Sequence, residues 1–69
     1  MTYVKGALYK LRHGLPVKKD GTDLYVERNN VLLLLCLPTK DYRTIKLLYK
    51  NHIIEIHPDF IDFLEKVID

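Results

Sequence analysis

The chain has 69 residues, of which 48% are hydrophobic and 29% charged, a composition that excludes a disordered chain. We expect one small domain, residues 1–69, with a thin core. No apolar run reaches the roughly 20 residues of a membrane span, and the absence of Ser excludes a serine nucleophile. One cysteine cannot form an internal disulfide, which favours a reducing, cytoplasmic location without a membrane partner.

The net charge of +2 is unevenly distributed along the chain. Residues 1–50 carry ten Lys and Arg against four acidic residues, whereas residues 51–69 carry one Lys against five acidic residues. This division predicts a basic sheet with an acidic C-terminal element, and an ordinary mixed surface is the alternative interpretation.

The first predicted strand covers residues 3–12. Two sets of side chains alternate along it, Val4, Leu8, Lys10 and Arg12 against Tyr3, Ala7, Tyr9 and Leu11. Gly6 predicts a bulge or bend in it, because strand interiors normally avoid glycine. Residues 13–23 contain two Gly, one Pro and two Asp, so they predict a long loop with a turn at Asp20 and Gly21.

Two tight hairpins are predicted next, with turns at Asn29–Asn30 and at Lys50–Asn51. Asparagine tolerates the left-handed backbone that such turns require. The arms of the two hairpins are the residue ranges 24–28, 31–37, 44–49 and 52–57. With the first strand, they make five strands.

The C-terminal residues change from strand to helical spacing. They predict a helix over residues 59–68, with Pro58 in its first turn and Asp59 as a cap. The alternative is a 3₁₀ turn at 58–62 followed by a short closing strand.

The apolar strand 31–37 requires a second cover, because successive side chains of a strand point to opposite faces. Either Val31, Leu33, Leu35 and Leu37 or Leu32, Leu34 and Cys36 must leave the core. We expect the second set to face outward. The alternatives for its cover are the C-terminal helix of the same chain, a second copy in a two-fold dimer, and a different protein. The predicted protein interface therefore contains Leu32, Leu34, Cys36, Leu48 and Ile53.

The order of strands and turns resembles SH3-like small β-barrels encoded by tailed bacteriophages. Those proteins begin with Gly-x-Leu-Val-x-Leu, run through two hairpins and end with Leu-Glu-x-Ile. The chain lacks the Trp that such barrels often carry in the fourth strand, where Leu48 and Tyr49 stand. The matching residues are Gly6, Leu8 and Leu11 near the start and Leu64, Glu65 and Ile68 near the end.

This resemblance implies a mainly β fold, a five-stranded antiparallel SH3-like barrel with a short C-terminal helix or helical turn. It also suggests a phage accessory protein that binds and inhibits a host or defence factor inside an infected cell. Because one fold supports many functions, the resemblance transfers no activity.

The chemistry-bearing residues do not favour an enzyme. His52 and His57 face opposite sides of one predicted strand, so they cannot hold one metal ion together. Cys36 has no neighbouring base and is expected to be unreactive. We therefore expect no catalytic residues, no metal and no cofactor.

Nucleic-acid binding is the alternative to protein binding. Aromatic side chains can stack on bases while basic side chains contact phosphates, as in many small barrels that bind RNA or single-stranded DNA. The candidate residues for this function are Tyr3, Lys5, Tyr9, Lys10, Arg12, Lys18, Lys19 and Arg28.

Overall fold

Antiparallel strands form one open sheet in the computed structural model, which describes residues 3–41 and 43–67. In chain order these are β1 Leu8–Leu11, β2 Leu15–Lys19, β3 Thr22–Val26, β4 Val31–Cys36, β5 Ile45–Tyr49, β6 His52–Ile56 and β7 Leu64–Lys66, with a 3₁₀ helix at Pro58–Phe63 between the last two. The order across the sheet is β3-β2-β6-β5-β4-β1-β7. The mainly β fold is confirmed, whereas the described residues form seven strands rather than five.

The predicted loop at 13–23 is wrong, because most of it folds into β2 and the start of β3. Asp20 and Gly21 both have positive φ, 51° and 79°, and Lys19 pairs directly with Thr22. This is the geometry of a two-residue hairpin turn. The predicted turn is therefore correct, but it joins two strands.

The turn at Asn29 does not form the predicted hairpin. Asn29 has a positive φ of 71°, but its N–H donates to the carbonyl oxygen of Leu11 at 2.9 Å. The turn is thereby tied to β1, and the two flanking strands separate. β3 pairs with β2, whereas β4 pairs with β1 and β5.

The hairpin at Lys50–Asn51 is confirmed. Both residues have positive φ, 47° and 67°, and Tyr49 pairs with His52. Ile45 pairs with Ile56 and Leu47 with Ile54, and these four side chains are buried together in the core.

The predicted helix at 59–68 is wrong, and the alternative of a 3₁₀ turn followed by a strand describes the tail up to Lys66. His57, rather than Asp59, caps the 3₁₀ helix: its Nδ1 accepts the N–H of Asp59 at 3.1 Å. β7 then pairs with β1, with Leu11 opposite Leu64. A helix here would leave that edge of β1 without its hydrogen-bond partners. Residue 68 lies outside the described residues.

The core consists of side chains from the inner face of the sheet. Leu32 and Leu34, which we expected to face outward, are buried in it, because they lie opposite the core residues Tyr9 and Leu47. A register shift between Leu34 and Cys36 then leaves Cys36 exposed. The buried residues are Tyr9, Leu11, Leu15, Val17, Val26, Leu32, Leu34, Ile45, Leu47, Ile54, Ile56 and Leu64.

Gly6 makes the predicted bend, but the strand predicted over residues 3–12 is confirmed only at Leu8–Leu11, because the bend lies before β1. The φ of Gly6 is +83°, and no atom lies within 4 Å of the position that a Cβ would occupy. Its N–H donates to the carbonyl oxygen of Leu34 at 2.8 Å, so the bend is bonded to β4. Glycine is required here by backbone conformation and not by space.

We predict that Gly6→Ala lowers the free energy of unfolding by about 1–2 kcal/mol, because alanine is strained at positive φ. Gly6→Asn should lose less, since asparagine tolerates this region. Urea denaturation of the three proteins measures both effects. Equal losses for the two variants would contradict a conformational cause.

Candidate functional site

Four apolar side chains form a continuous row across the outer face of the sheet. Leu8 of β1 pairs with Leu33 of β4, Leu33 with Leu48 of β5, and Leu48 with Ile53 of β6. Directly paired residues point to the same face, with Cβ atoms about 5 Å apart. We call these four residues the outer row.

The outer row is accessible to solvent. Leu8 at one end is 46% exposed and Ile53 at the other end is 56% exposed, while Leu33 and Leu48 between them are half-buried. Val31, the outward neighbour of Leu33 along β4, is 50% exposed. Contiguous apolar surface of this kind on a small protein is typical of an interaction site.

A charged pair borders the outer row. Lys46 and Glu55 lie opposite each other on β5 and β6, two residues along from Leu48 and Ile53 and on the same face. Glu55 also accepts a 2.8 Å hydrogen bond from the Thr44 hydroxyl, which fixes the direction of its carboxylate. On the β5–β6 hairpin, apolar and charged pairs are therefore adjacent.

Three of the five predicted interface residues remain candidates. Leu48 and Ile53 belong to the outer row, and Cys36 is exposed opposite Lys46. The prediction that Leu32 and Leu34 face outward is wrong, because they lie on the inner face of β4 and are buried.

Sequence analysis missed Leu8 and Leu33 as surface residues. The alternation along β1 indicated that Leu8 faces solvent, because the charged residues Lys10 and Arg12 lie on the same face. No charged side chain marks a face of β4, so its phase depends on pairing with β1 and β5.

A groove opens where β2 and β6 separate. The two strands pair only at Lys18 and Glu55. Pro16, two residues before Lys18 on β2, has no N–H to donate. The resulting cavity is about 330 Å³, with Pro16 and Val17 on one side and Ile56 and Phe60 on the other.

Four rings form a series next to this groove: His57 at the cap of the 3₁₀ helix, Phe60 and Phe63 within it, and His13 between β1 and β2. His57 lies 6.4 Å from Phe60, Phe60 lies 5.5 Å from Phe63, and Phe63 lies 5.2 Å from His13, all between ring centroids. These are ordinary separations for aromatic pairs. Phe60 and Phe63 pack against the buried core, so these rings hold the 3₁₀ helix against the sheet.

The aromatic residues proposed for nucleic-acid binding are engaged inside the protein. Tyr9 is buried, and its hydroxyl accepts the N–H of Val4 at 2.8 Å, so a base-stacking role for Tyr9 is wrong. Tyr3 is half-buried, and its ring centroid lies 5.7 Å from that of Tyr9. Its hydroxyl donates to the carbonyl oxygen of Ile61 at 3.0 Å.

The basic residues of that proposal lie in separate parts of the sheet. Lys10 is on β1 and Lys18 and Lys19 are on β2, four strand positions away, where each step is about 4.8 Å. Arg12 pairs with Glu65 at 3.6 Å, and Lys18 pairs with Asp23. Lys5 and Arg28 are exposed in the connections before β1 and after β3.

Comparisons with known protein families, with curated proteins and with solved structures find no significant match to this chain. Within residues 3–41 and 43–67, no helix is long and apolar enough to cross a membrane. The described residues also contain no group of three or more His, Cys, Asp or Glu placed to hold a metal ion.

The hydrogen bond from Tyr3 to Ile61 predicts a pH-dependent contribution to stability. Burial raises the pKa of the Tyr3 phenol above its ordinary value, and the carboxylate of Asp62 raises it further. An ionised phenol cannot donate, so the contribution is complete below the unfolded pKa of about 10. It is lost as the pH rises through the higher pKa of the folded state.

We predict that Tyr3→Phe lowers the free energy of unfolding at pH 8 by about 1 kcal/mol. This difference from the native protein should shrink as the pH rises above about 10. Urea denaturation at several pH values measures it. The control is Tyr25→Phe, which should lose a negligible amount, because Tyr25 is 63% exposed. A Tyr3→Phe difference that is constant with pH would contradict the assignment.

Proposed function

We propose that this protein is a non-enzymatic binding module that acts by protein–protein interaction through the outer row. The observation that carries the proposal is the continuity of four apolar side chains over four adjacent strands, with both ends about half-exposed.

The energetics of the outer row support this proposal. Full burial of a Leu or Ile side chain is worth about 1.5–3 kcal/mol relative to exposure. Protein interfaces commonly combine an apolar centre with a polar rim, and here Lys46 and Glu55 border Leu48 and Ile53. The partner is thus a protein surface that presents apolar side chains and charges of both signs.

The order of strands also supports an SH3-like architecture as a proposal. β1, β4, β5, β6 and β7 supply five strands, with β2 and β3 as an extended ribbon inserted after the first. The 3₁₀ helix precedes the last strand, which pairs with the first. An accessory role, occupying the surface of a host or defence factor, is the corresponding proposal for a phage protein of this type.

Nucleic-acid binding stays a prediction, and its salt dependence separates it from the proposed function. Phosphate contacts release counterions, so affinity for nucleic acid falls steeply with salt. Association through the outer row should persist, because salt does not weaken apolar burial.

We predict that Ile53→Lys strongly weakens partner binding without unfolding the protein, because the position is exposed. Proteins retained on the immobilised native chain after nuclease treatment are identified, purified and titrated. The purified partner should bind Ile53→Lys at least about 30-fold more weakly, as for an interface hot spot.

The matched control is Leu24→Lys, an exposed aliphatic position on β3 outside the outer row. It should bind the partner as the native chain does. Equal titrations for all three proteins would refute the outer row as the binding surface. Retention that disappears with nuclease or at high salt would favour nucleic acid instead.

A further inference from the structure

We infer that the partner at the outer row is a second copy of this chain, with the outer faces of the two β5–β6 hairpins packed together. The inference rests on the proposed function and specifies its partner. It depends on four residues of the hairpin, Lys46, Leu48, Ile53 and Glu55, which we call the hairpin block.

The hairpin block is complementary to itself under a two-fold rotation. Leu48 lies opposite Ile53 and Lys46 lies opposite Glu55 within one chain. Consider a two-fold axis that runs parallel to β5 and β6, midway between them, and lies between the outer faces of the two copies. It places β5 of one copy over β6 of the other. Leu48 then faces Ile53 of the second copy, and Lys46 faces Glu55 of the second copy.

Every contact in this arrangement occurs twice, as an isologous interface requires. Two apolar contacts lie beside two pairs of opposite charge, and no like charges of the hairpin block face each other directly. The Thr44 hydroxyl already holds the Glu55 carboxylate at 2.8 Å, so less side-chain freedom is lost on association. A copy of the chain thus supplies both the apolar and the charged groups that the surface requires.

The size of the protein limits the strength of the dimer. The described chain exposes 5005 Å², so a standard interface of about 800 Å² per partner would cover roughly a sixth of it. The hairpin block and its neighbour Leu33 form only the centre of such a patch. We therefore expect a small interface and a dissociation constant in the micromolar range.

Leu24 provides the control position. It is an exposed leucine outside the outer row, and it lies on β3, two strands from β6 and three from β5. Leu24→Lys is therefore the control for Ile53→Lys.

Sedimentation velocity of the full chain between about 5 and 500 µM, a range that brackets a micromolar constant, measures the equilibrium. The native protein should change from monomer to dimer over this range. Ile53→Lys should raise the dissociation constant on the order of 100-fold, because two copies of the contact are lost. Leu24→Lys should change it by less than about 5-fold, as a residue outside the interface does. Equal effects of the two variants would overturn this arrangement.

Charge reversal tests the predicted pairing directly. K46E and E55K should each dissociate the dimer, since each places like charges opposite one another. An equimolar mixture of the two variants should associate again, because the acidic block of one then faces the basic block of the other. The double variant K46E/E55K should also dimerise. Thermal unfolding followed by circular dichroism confirms that each variant is folded.

A native chain that stays monomeric at all concentrations overturns the inference, as does a mixture of folded K46E and E55K that does not associate. If the native chain is monomeric but Ile53→Lys loses a purified partner of different sequence, the proposed function holds and only the dimer fails. If Ile53→Lys alters neither dimerisation nor partner binding, both fail.

Discussion

The structure depends on one constraint, which is that a strand of apolar residues is apolar on both faces while a chain of 69 residues forms a single core. β4 lies inside the sheet, paired with β1 and β5. Its inward side chains, Leu32 and Leu34, are among the most buried in the protein. Its outward side chains cannot join them because of the pleat, so apolar surface remains on the outer face.

The neighbouring strands extend this surface rather than interrupt it. A solvent-facing strand usually places polar residues outward, yet the positions opposite Leu33 on both sides are Leu8 and Leu48. The charged residues of the same face lie in adjacent rows, where Lys46 faces Glu55. The outer face is thus ordered in rows across the strands, and this order is what makes it able to recognise a complementary surface.

Sequence analysis succeeded where local signals were sufficient. The Lys50–Asn51 turn, the bend at Gly6 and the alternation of β1 follow from residues close in the chain, and all three are observed. It failed where pairing between distant segments decides the structure. Which side chains of β4 face inward depends on its register with β1 and β5. The tail forms a strand because it pairs with the backbone of β1 along the edge that β4 does not occupy. Within the outer row, Leu48 and Ile53 were predicted and Leu8 could be predicted from the alternation of β1, whereas Leu33 depends on the register of β4.

Pro16 has a consequence for the dynamics of the sheet. Because it cannot donate a hydrogen bond to β6, the β2–β3 ribbon joins the remaining strands through the single pairing of Lys18 and Glu55 and through its buried side chains. Opening this seam would break few backbone hydrogen bonds between the ribbon and the other strands, while the ribbon keeps its internal ladder. The ribbon contributes Leu15, Val17 and Val26 to the core. Apolar burial, rather than backbone hydrogen bonding to β6, therefore holds the ribbon to the rest of the sheet.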